Sequence, residues 1–340
     1  MRALHPHRHC LAGLGGVAVF GLSFLLSAVA IASQSQPLRL VQTIPLDGVE
    51  GRLDHMAIDL ERHRLFVAAF GNGTVEVIDL RSARRVQSLG PFHEPQGVTF
   101  VTSPPRLFVS SGDGTCEMLD GVTYARLRTI RFTDDADNMR RDIGAKRIYV
   151  GYGGGALAAL DWETGDTLGA VPLSGHPEAF EIEQGSSRIF VNIPEAGEIA
   201  IVDRAKERVI GTWKAQGLAG NFPMEHDAPS HRLFVGCRQP AAVLVLDDRS
   251  GKKLATVPID KDPDDLFYDP ATRQLFVSCG AGFIDVLGAS DTGHWTVSAR
   301  ITTGPGARTA LLVPEFRRLY VAVPHRGSQH AEIRVFEEGQ

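Results

Sequence analysis

Short runs of apolar residues recur along the whole chain, separated by polar segments rich in Gly, Pro, Asn and Asp. The runs are four to six residues long and rich in Val, Ile and Phe. An amphipathic helix would instead need apolar residues at spacings of three and four, so the pattern is typical of β-strands. A repeated apolar pair begins at Leu65, Leu107, Ile148, Ile189, Leu233, Leu275 and Leu319.

The intervals between these pairs are 42, 41, 41, 44, 42 and 44 residues. A period of this size that contains only strands predicts the blades of a β-propeller. Each repeat divides into four strands, which in the first repeat lie near 55–59, 64–69, 74–79 and 85–89. We therefore expect blades beginning at about residues 52, 94, 135, 176, 220, 262 and 306.

The last repeat is incomplete, because the chain stops soon after its third strand, Ile333–Phe336. Residues 38–46, LRLVQTIPL, have the pattern of a fourth strand but follow no blade. Pairing of this strand with the last repeat would close the ring and leave no open sheet edge. The fold class predicted over residues 34–340 is therefore an all-β, seven-bladed β-propeller of four-stranded blades, closed by an N-terminal strand that completes the last blade.

The first 33 residues differ from the repeats. Arg2 and Arg8 precede an uncharged stretch, 11–32, that ends in small residues. This pattern predicts a signal peptide over residues 1–33, and hence an exported protein that is periplasmic or secreted. The uncharged stretch is also long enough for a membrane anchor if the leader is not cleaved. We expect contact with a membrane only through such an uncleaved leader.

Charge and cysteine content limit the possible partners and cross-links. Without the two leader arginines the chain has 33 basic and 40 acidic residues, a net charge near −7. This balance argues against a nucleic-acid partner, which needs a concentrated basic surface. Outside the leader the cysteines are Cys116, Cys237 and Cys279, an odd number that gives no disulfide framework. We expect buried thiols, with a Cys237–Cys279 bridge near the axis as the alternative.

An aspartate ends the third strand of five repeats. These residues are Asp79, Asp120, Asp161, Asp203 and Asp247. One interpretation is that these aspartates form a ring of functional carboxylates. A short carboxylate also accepts hydrogen bonds from the backbone that follows it and so fixes a turn. Because the same aspartate is repeated at the same turn from blade to blade, we expect these residues to have a folding role.

The repeats resemble those of a known family. FVAA at 66–69, YVGY at 149–152 and FVN at 190–192 are each followed by a strand that ends in Asp, and they resemble YVTN repeats. The resemblance extends from Leu38 to Phe336 and lacks the Trp-Asp ending of WD40 repeats. The chain thus resembles an exported YVTN-type, YncE-like seven-bladed propeller. The resemblance implies a fold and leaves the function open, because such propellers serve binding, scaffolding and catalysis alike.

One ring of positions differs between the repeats. The residues eleven positions before each apolar pair align at one mouth of the channel, and they are Asp54, Gln96, Asp137, Glu178, Phe222, Asp264 and Arg308. Folding requirements tend to repeat, so variation at these mostly polar positions indicates a site. The predicted site combines polar residues of this ring with polar residues next to it in the sequence. The predicted ligand-binding residues are Arg52, Asp54, His55, Gln96, Asp137, Asn138, His176, Glu178, Asp264, Asp265 and Arg308.

Three interpretations of this mouth stay open. A divalent cation, calcium first and zinc second, would take ligands from Asp54, His55, Glu178 and Asp264. His55 and His176 would fit a transition metal better than calcium. A small ligand would have its carboxylate or phosphate held by Arg52 or Arg308. In the third interpretation, polar side chains line a water-filled channel and satisfy one another.

The function that this sequence favours is binding, with no catalysis evident. The partner would be a small molecule, an ion or a protein segment at the channel mouth. The first alternative is a hydrolase or lactonase, in which His55, Glu178 or Asp264 is the general base and Arg308 stabilises developing negative charge. The second alternative is a periplasmic protein-interaction scaffold, which an exposed apolar patch would favour.

Overall fold

Seven four-stranded antiparallel sheets form a ring in the computed structural model, which describes residues 36–290 and 293–339. The described chain begins with β1 (Leu38–Pro45), and each of the first six blades is then built from four consecutive strands. The first three blades comprise β2 (Met56–Asp59), β3 (Arg64–Ala69), β4 (Thr74–Asp79), β5 (Arg84–Leu89), β6 (Pro95–Thr102), β7 (Pro105–Ser111), β8 (Thr115–Asp120), β9 (Arg126–Arg131), β10 (Ala136–Asp142), β11 (Arg147–Tyr152), β12 (Ala156–Asp161) and β13 (Thr167–Pro172).

The next three blades follow the same order. They comprise β14 (Phe180–Ile182), β15 (Arg188–Ile193), β16 (Glu198–Asp203), β17 (Arg208–Lys214), β18 (Ala219–Asp227), β19 (Arg232–Gln239), β20 (Ala241–Asp247), β21 (Lys253–Pro258), β22 (Pro263–Asp269), β23 (Gln274–Cys279), β24 (Phe283–Ala289) and β25 (Trp295–Thr302). The seventh blade contains β26 (Ala310–Val313), β27 (Arg318–Val323) and β28 (Glu332–Glu338). Two short 3₁₀ turns, Phe70–Asn72 and Pro314–Phe316, lie between strands.

The N-terminal strand closes the ring as predicted. β1 pairs antiparallel with β28 and becomes the outermost strand of the seventh blade. Leu38 and Ile44 on this strand are buried, whereas Leu40 is 48% exposed. The innermost strands of successive blades contact one another, including β26 with β2, so both ends of the described part of the chain contribute to closure.

The repeated apolar pair forms the core between the blades. Its second position is aromatic in every repeat and buried in every blade: Phe66, Phe108, Tyr149, Phe190, Phe234, Phe276 and Tyr320. Burying one large ring per blade contributes about 1.5–3 kcal/mol each before entropy is counted. The sequence therefore repeats this pair because each blade must fill the same space against its neighbour.

The aspartates that end the third strands have the predicted folding role. Each of the five accepts hydrogen bonds from backbone N–H groups two and three residues further on, at 2.8–3.2 Å. Backbone hydrogen bonds at the first of these turns, together with Arg64, hold the pKa of Asp79 below its usual value. These carboxylates lie in the turns that lead to the outermost strands.

All three cysteines in the described part of the chain are free and buried. Burial raises the pKa of Cys237 to about 12, so its thiol stays protonated at neutral pH. The expectation of buried thiols is confirmed, and the alternative bridge between Cys237 and Cys279 is not formed.

The predicted leader, residues 1–33, lies outside the described residues. Within 36–290 and 293–339, no helix is long and apolar enough to cross a membrane.

Candidate functional site

The mouth residues lie where the innermost strands depart from regular pairing. β6, β10, β18 and β22 each show a register shift against the second strand of their blade, and the shifts enclose Gln96, Asp137, Phe222 and Asp264. A β-bulge of this kind interrupts the alternation of side chains and redirects them. In two other blades, the backbone N–H groups of Asp54 and Glu178 bond to the second strand just before the innermost strand begins.

Arg52 and Asp54 satisfy one another at the first blade. The Arg52 guanidinium forms an ion pair with Asp54, which is 3% exposed, and lies 3.3 Å from Gln96 Oε1. The guanidinium also stacks at 4.0 Å over the ring of Phe70. Gln96 in turn donates a hydrogen bond of 2.7 Å to Asp135. Arg52 is therefore held in place by protein groups.

His55 is enclosed by carboxylates. Its ring nitrogens lie 3.5 Å from Asp265 and 3.9 Å from Asp54. Burial alone would lower the pKa of His55, but the charges of Asp265, Asp54 and Asp137 outweigh it and raise the pKa to about 10. His55 is thus an imidazolium near pH 7, which suits a fixed cation and does not suit a general base.

Two arginines hold the carboxylates of the sixth blade. Arg308 Nε lies 2.8 Å from Asp264, Arg308 and Arg238 each lie 3.3 Å from Asp262, and Arg238 also pairs with Asp264. Arg238 stacks at 3.4 Å over Phe222. Burial raises the pKa of Asp264 to about 6, although both arginines oppose the shift. Arg308 is therefore engaged and does not present a free guanidinium to a ligand.

A third group combines Asp137, His176 and Glu178, whose candidate ligand atoms lie within 4.8 Å of one another. Asp137 is 9% exposed, and within the described ranges its carboxylate and that of Glu178 have no hydrogen bond or ion pair. Burial and the charge of Glu178 raise the pKa of Asp137 well above its usual value. Burial and the charge of Asp264 raise the pKa of Glu178 to about 7. These two carboxyl groups are the uncompensated part of the mouth.

The predicted residues thus form three contacting groups. The first joins Arg52, Asp54, His55, Gln96 and Asp265, the second joins Asp264 with Arg308, and the third joins Asp137, His176 and Glu178. Asn138, the remaining predicted residue, is 2% exposed, and its side-chain oxygen has no hydrogen-bond partner in the described part of the chain.

A second charged cluster, which the sequence analysis missed, lies deeper in the channel. A cavity of about 200 Å³ is lined by the innermost strands of all seven blades and contains Arg140, Glu181 and Glu225. Arg140 Nε lies 3.1 Å from Glu181. Burial and the charge of Glu181 raise the pKa of Glu225 well above its usual value. These residues stand three positions after the mouth ring in the third, fourth and fifth repeats, and continuing the same alignment by three residues would have found them.

In a second group of three potential metal ligands, the side chains already bond to other protein groups. Glu183, His226 and Asp248 meet in one cluster. His226 Nε2 lies 2.8 Å from Asp248, and Glu183 holds Arg188 through two contacts of 2.6 Å. This arrangement agrees with a structural role.

Comparison with known proteins establishes the fold class. The chain is similar to a chain in the structure of the Kuenenia stuttgartiensis hydrazine synthase, with a TM-score of 0.70 and 16% identity over 81% of this chain and 94% of that one. It is also similar to a chain in the crystal structure of the mitotic checkpoint complex, with a TM-score of 0.76 and 15% identity over 95% and 98% of the two chains. No protein-family model matches the sequence, and no curated protein does. At these identities the likeness is one of fold, and propellers support many unrelated functions.

Proposed function

We propose that this chain is an exported, YVTN-type β-propeller that binds a positively charged ligand at the channel mouth. The supporting observation is that the carboxyl groups of Asp137, which is buried, and Glu178, which is half-buried, lie close together and form no ion pair with any cationic side chain in the described residues. The leader pattern and the resemblance of the repeats support the exported, YVTN-type part of the proposal.

The charge balance of the mouth favours a cation over an anion. Four cationic side chains of the mouth, Arg52, His55, Arg238 and Arg308, each already contact at least one carboxylate. An anionic ligand held by any of these four side chains would have to displace an ion pair. A cationic ligand would instead relieve the repulsion that keeps the two uncompensated carboxyl groups from ionising together. The ligand is then an ion, a small amine or guanidine, or a partner segment that presents Lys or Arg.

A thermal-shift panel tests this proposal. The full-length protein would be heated with EDTA present and with butylammonium, argininamide or a short Lys/Arg peptide, and with acetate, phosphate or glucose as anionic and neutral probes. We expect cationic probes alone to raise the melting temperature, and the rise to be lost in Glu178→Gln. Glu163→Gln is the matched control, because Glu163 is an exposed turn residue paired with Lys146.

Two results would contradict the proposal. One is stabilisation of the wild type by anionic probes alone. The other is equal stabilisation of the wild type and Glu178→Gln by cationic probes.

One observation keeps the hydrolase or lactonase alternative in view. Glu178 has a pKa raised to about 7 by burial and by Asp264, the range in which a general base operates. The groups that would assist it are engaged, because His55 is protonated and Arg308 holds Asp262 and Asp264. Under this alternative, the wild type would hydrolyse model esters or lactones, and the rate of hydrolysis would be at least about 100-fold lower in Glu178→Gln. The binding proposal expects equally low rates from both proteins.

A further inference from the structure

We infer that Asp137, His176 and Glu178 form a binding site for a divalent transition-metal ion, with Zn²⁺ as the test ion. This inference rests on the proposed function, because it names the cation that the mouth would take. It differs from the ligand set expected from the sequence, in which Glu178 acted with Asp54, His55 and Asp264.

The three side chains offer the number and type of ligand atoms that such an ion takes. One imidazole nitrogen and two carboxylate oxygens lie within 4.8 Å of one another. Zinc binds these atoms at about 2.0–2.2 Å, so closure around one ion requires side-chain movements of about 1 Å. Three protein ligands also leave a coordination position open for water or a ligand.

The orientation of His176 is the second, independent observation. Its Nδ1 lies 2.7 Å from the carbonyl oxygen of Gly153. A carbonyl oxygen only accepts, so Nδ1 carries the hydrogen, and in the neutral imidazole the lone pair is on Nε2. Metal-binding histidines in proteins are commonly held in this way by a backbone carbonyl on the other ring nitrogen. Nε2 is therefore left as the ligating atom, and its nearest ion-pairing carboxylate, Asp135, is 3.8 Å away.

The other mouth carboxylates do not compete for the ion. Asp54 is bound by Arg52, and Asp264 by two arginines. Asp137, in contrast, is buried to more than nine-tenths of its surface without a partner in the described part of the chain. An imidazole favours zinc, cobalt, nickel or copper, whereas calcium prefers a site of six to eight oxygens. The geometry thus favours a transition metal over the calcium expected from the sequence.

Calorimetric titration of the full-length chain, stripped of metal with EDTA and dialysed, tests this site. We expect one Zn²⁺ per chain, and an affinity at least about 10-fold weaker in Asp137→Asn, His176→Ala and Glu178→Gln. Asp262→Asn is the matched control, since Asp262 is a mouth carboxylate that contacts Arg238 and Arg308. It should bind Zn²⁺ as the wild type does. Circular dichroism would check that each variant folds.

A spectroscopic measurement on the wild type keeps the test independent of variants that fail to fold. Electron paramagnetic resonance of the Cu²⁺-loaded protein should show hyperfine coupling to nitrogen from a single imidazole. The inference is overturned if no such coupling appears, if all three variants bind Zn²⁺ like the wild type, or if Ca²⁺ binds as tightly as Zn²⁺ and His176→Ala leaves it unchanged.

The outcomes separate this inference from the proposed function. If Zn²⁺ does not bind while organic cations stabilise the wild type and not Glu178→Gln, the metal inference is wrong and the cation-binding proposal stands. If neither Zn²⁺ nor organic cations bind, both are wrong.

Discussion

Three aspartates at equivalent positions of the first, third and sixth blades differ in their chemistry, because their neighbours differ. Asp54 lies against Arg52, Asp264 lies between Arg238 and Arg308, and Asp137 faces a second carboxyl group. The backbone places all three at one level of the channel. What each one does therefore depends on which cations reach it from the strands and loops around the mouth.

His55 is expected to remain protonated across the neutral pH range. Its pKa of about 10 lies well above the usual 6.5, because the carboxylates of Asp265, Asp54 and Asp137 outweigh the opposing effect of burial. The imidazole NMR signals of His55, assigned with His55→Gln, should not titrate between pH 5 and pH 8. Asp265→Asn should bring the pKa back toward its usual value. A midpoint near 6.5 in the wild type would show that the carboxylates do not act as described.

Glu225, deeper in the channel, is expected to make the fold less stable as the pH rises. Burial and Glu181 raise its pKa well above the usual 4.5, against the opposing charge of Arg140. A carboxyl group with a raised pKa in the folded state contributes stability at low pH, and that contribution is lost as the pH rises through the folded-state value. Glu225→Gln should therefore gain stability relative to the wild type between pH 5 and pH 8.

Urea unfolding at both pH values measures this difference. Glu61→Gln is the control, because Glu61 is 69% exposed and its substitution should change little at either pH. A stability difference between Glu225→Gln and the wild type that is the same at pH 5 and pH 8 would rule out the raised pKa as its cause.

The sequence predicted which residues lie at the channel mouth, but it did not predict which of their side chains form ion pairs. Alignment by eleven residues finds the ring because the register of the first two strands is the same in all seven blades: the first residue of each apolar pair lies opposite the residue seven positions before it. It does not show that Arg238, from the second strand of the fifth blade, reaches Asp264 in the sixth blade. That contact depends on the length and direction of a side chain between blades, which no local sequence pattern encodes.

At the scale of elements, each outermost strand contains a register shift against its neighbour. All seven blades show this shift, including the pairing of β1 with β28. In five blades the extra residue is an exposed apolar one, and these residues are Val86, Leu127, Leu168, Ile210 and Leu254. Bulges bend and twist an edge strand, which hinders pairing with a second molecule.

Strand positions were predictable to within one or two residues, whereas the bulges were not. Predicted strands such as 64–69 and 74–79 agree with the structure because turn residues mark their ends. A bulge adds one residue without a turn residue, and the apolar pattern of an exposed outer strand is too weak to reveal it. The scaffold hypothesis gains little from these exposed residues, since they lie on different blades.

The turn after the third strand of a blade offers a test at this scale. Asp120 accepts hydrogen bonds from the backbone N–H groups of Val122 and Thr123, at 3.0 and 2.8 Å. Asp120→Ala removes the acceptor and should lower the free energy of unfolding by about 1 kcal/mol. Asp120→Asn keeps an acceptor oxygen and should lose less than half of that. Urea unfolding at pH 7 measures both, and equal losses would mean that the charge, rather than the acceptor, stabilises the turn.

At the scale of the whole molecule, closure joins the two ends of the described chain in one sheet. The repeat count predicted this closure because a seventh blade lacked one strand and the N-terminal segment supplied one. Ile44 of β1 packs in a single buried cluster with Leu65 of the first blade and Ile333 of the seventh. Residues that are distant in sequence thus share one core at the point of closure.

If closure holds the ring together, a cavity in β1 should destabilise the whole propeller. Ile44 is fully buried, and Ile44→Ala should cost about 2–4 kcal/mol and lower the melting temperature by roughly 3–6 °C in a single transition. Leu40→Ala, on the same strand but 48% exposed, is the control and should change little. Calorimetry with limited proteolysis distinguishes two cases. If β1 closes the ring, the loss of stability affects every blade and lowers the melting temperature of the whole propeller. If β1 only frays, the main transition stays unchanged and the chain becomes sensitive to protease near β1.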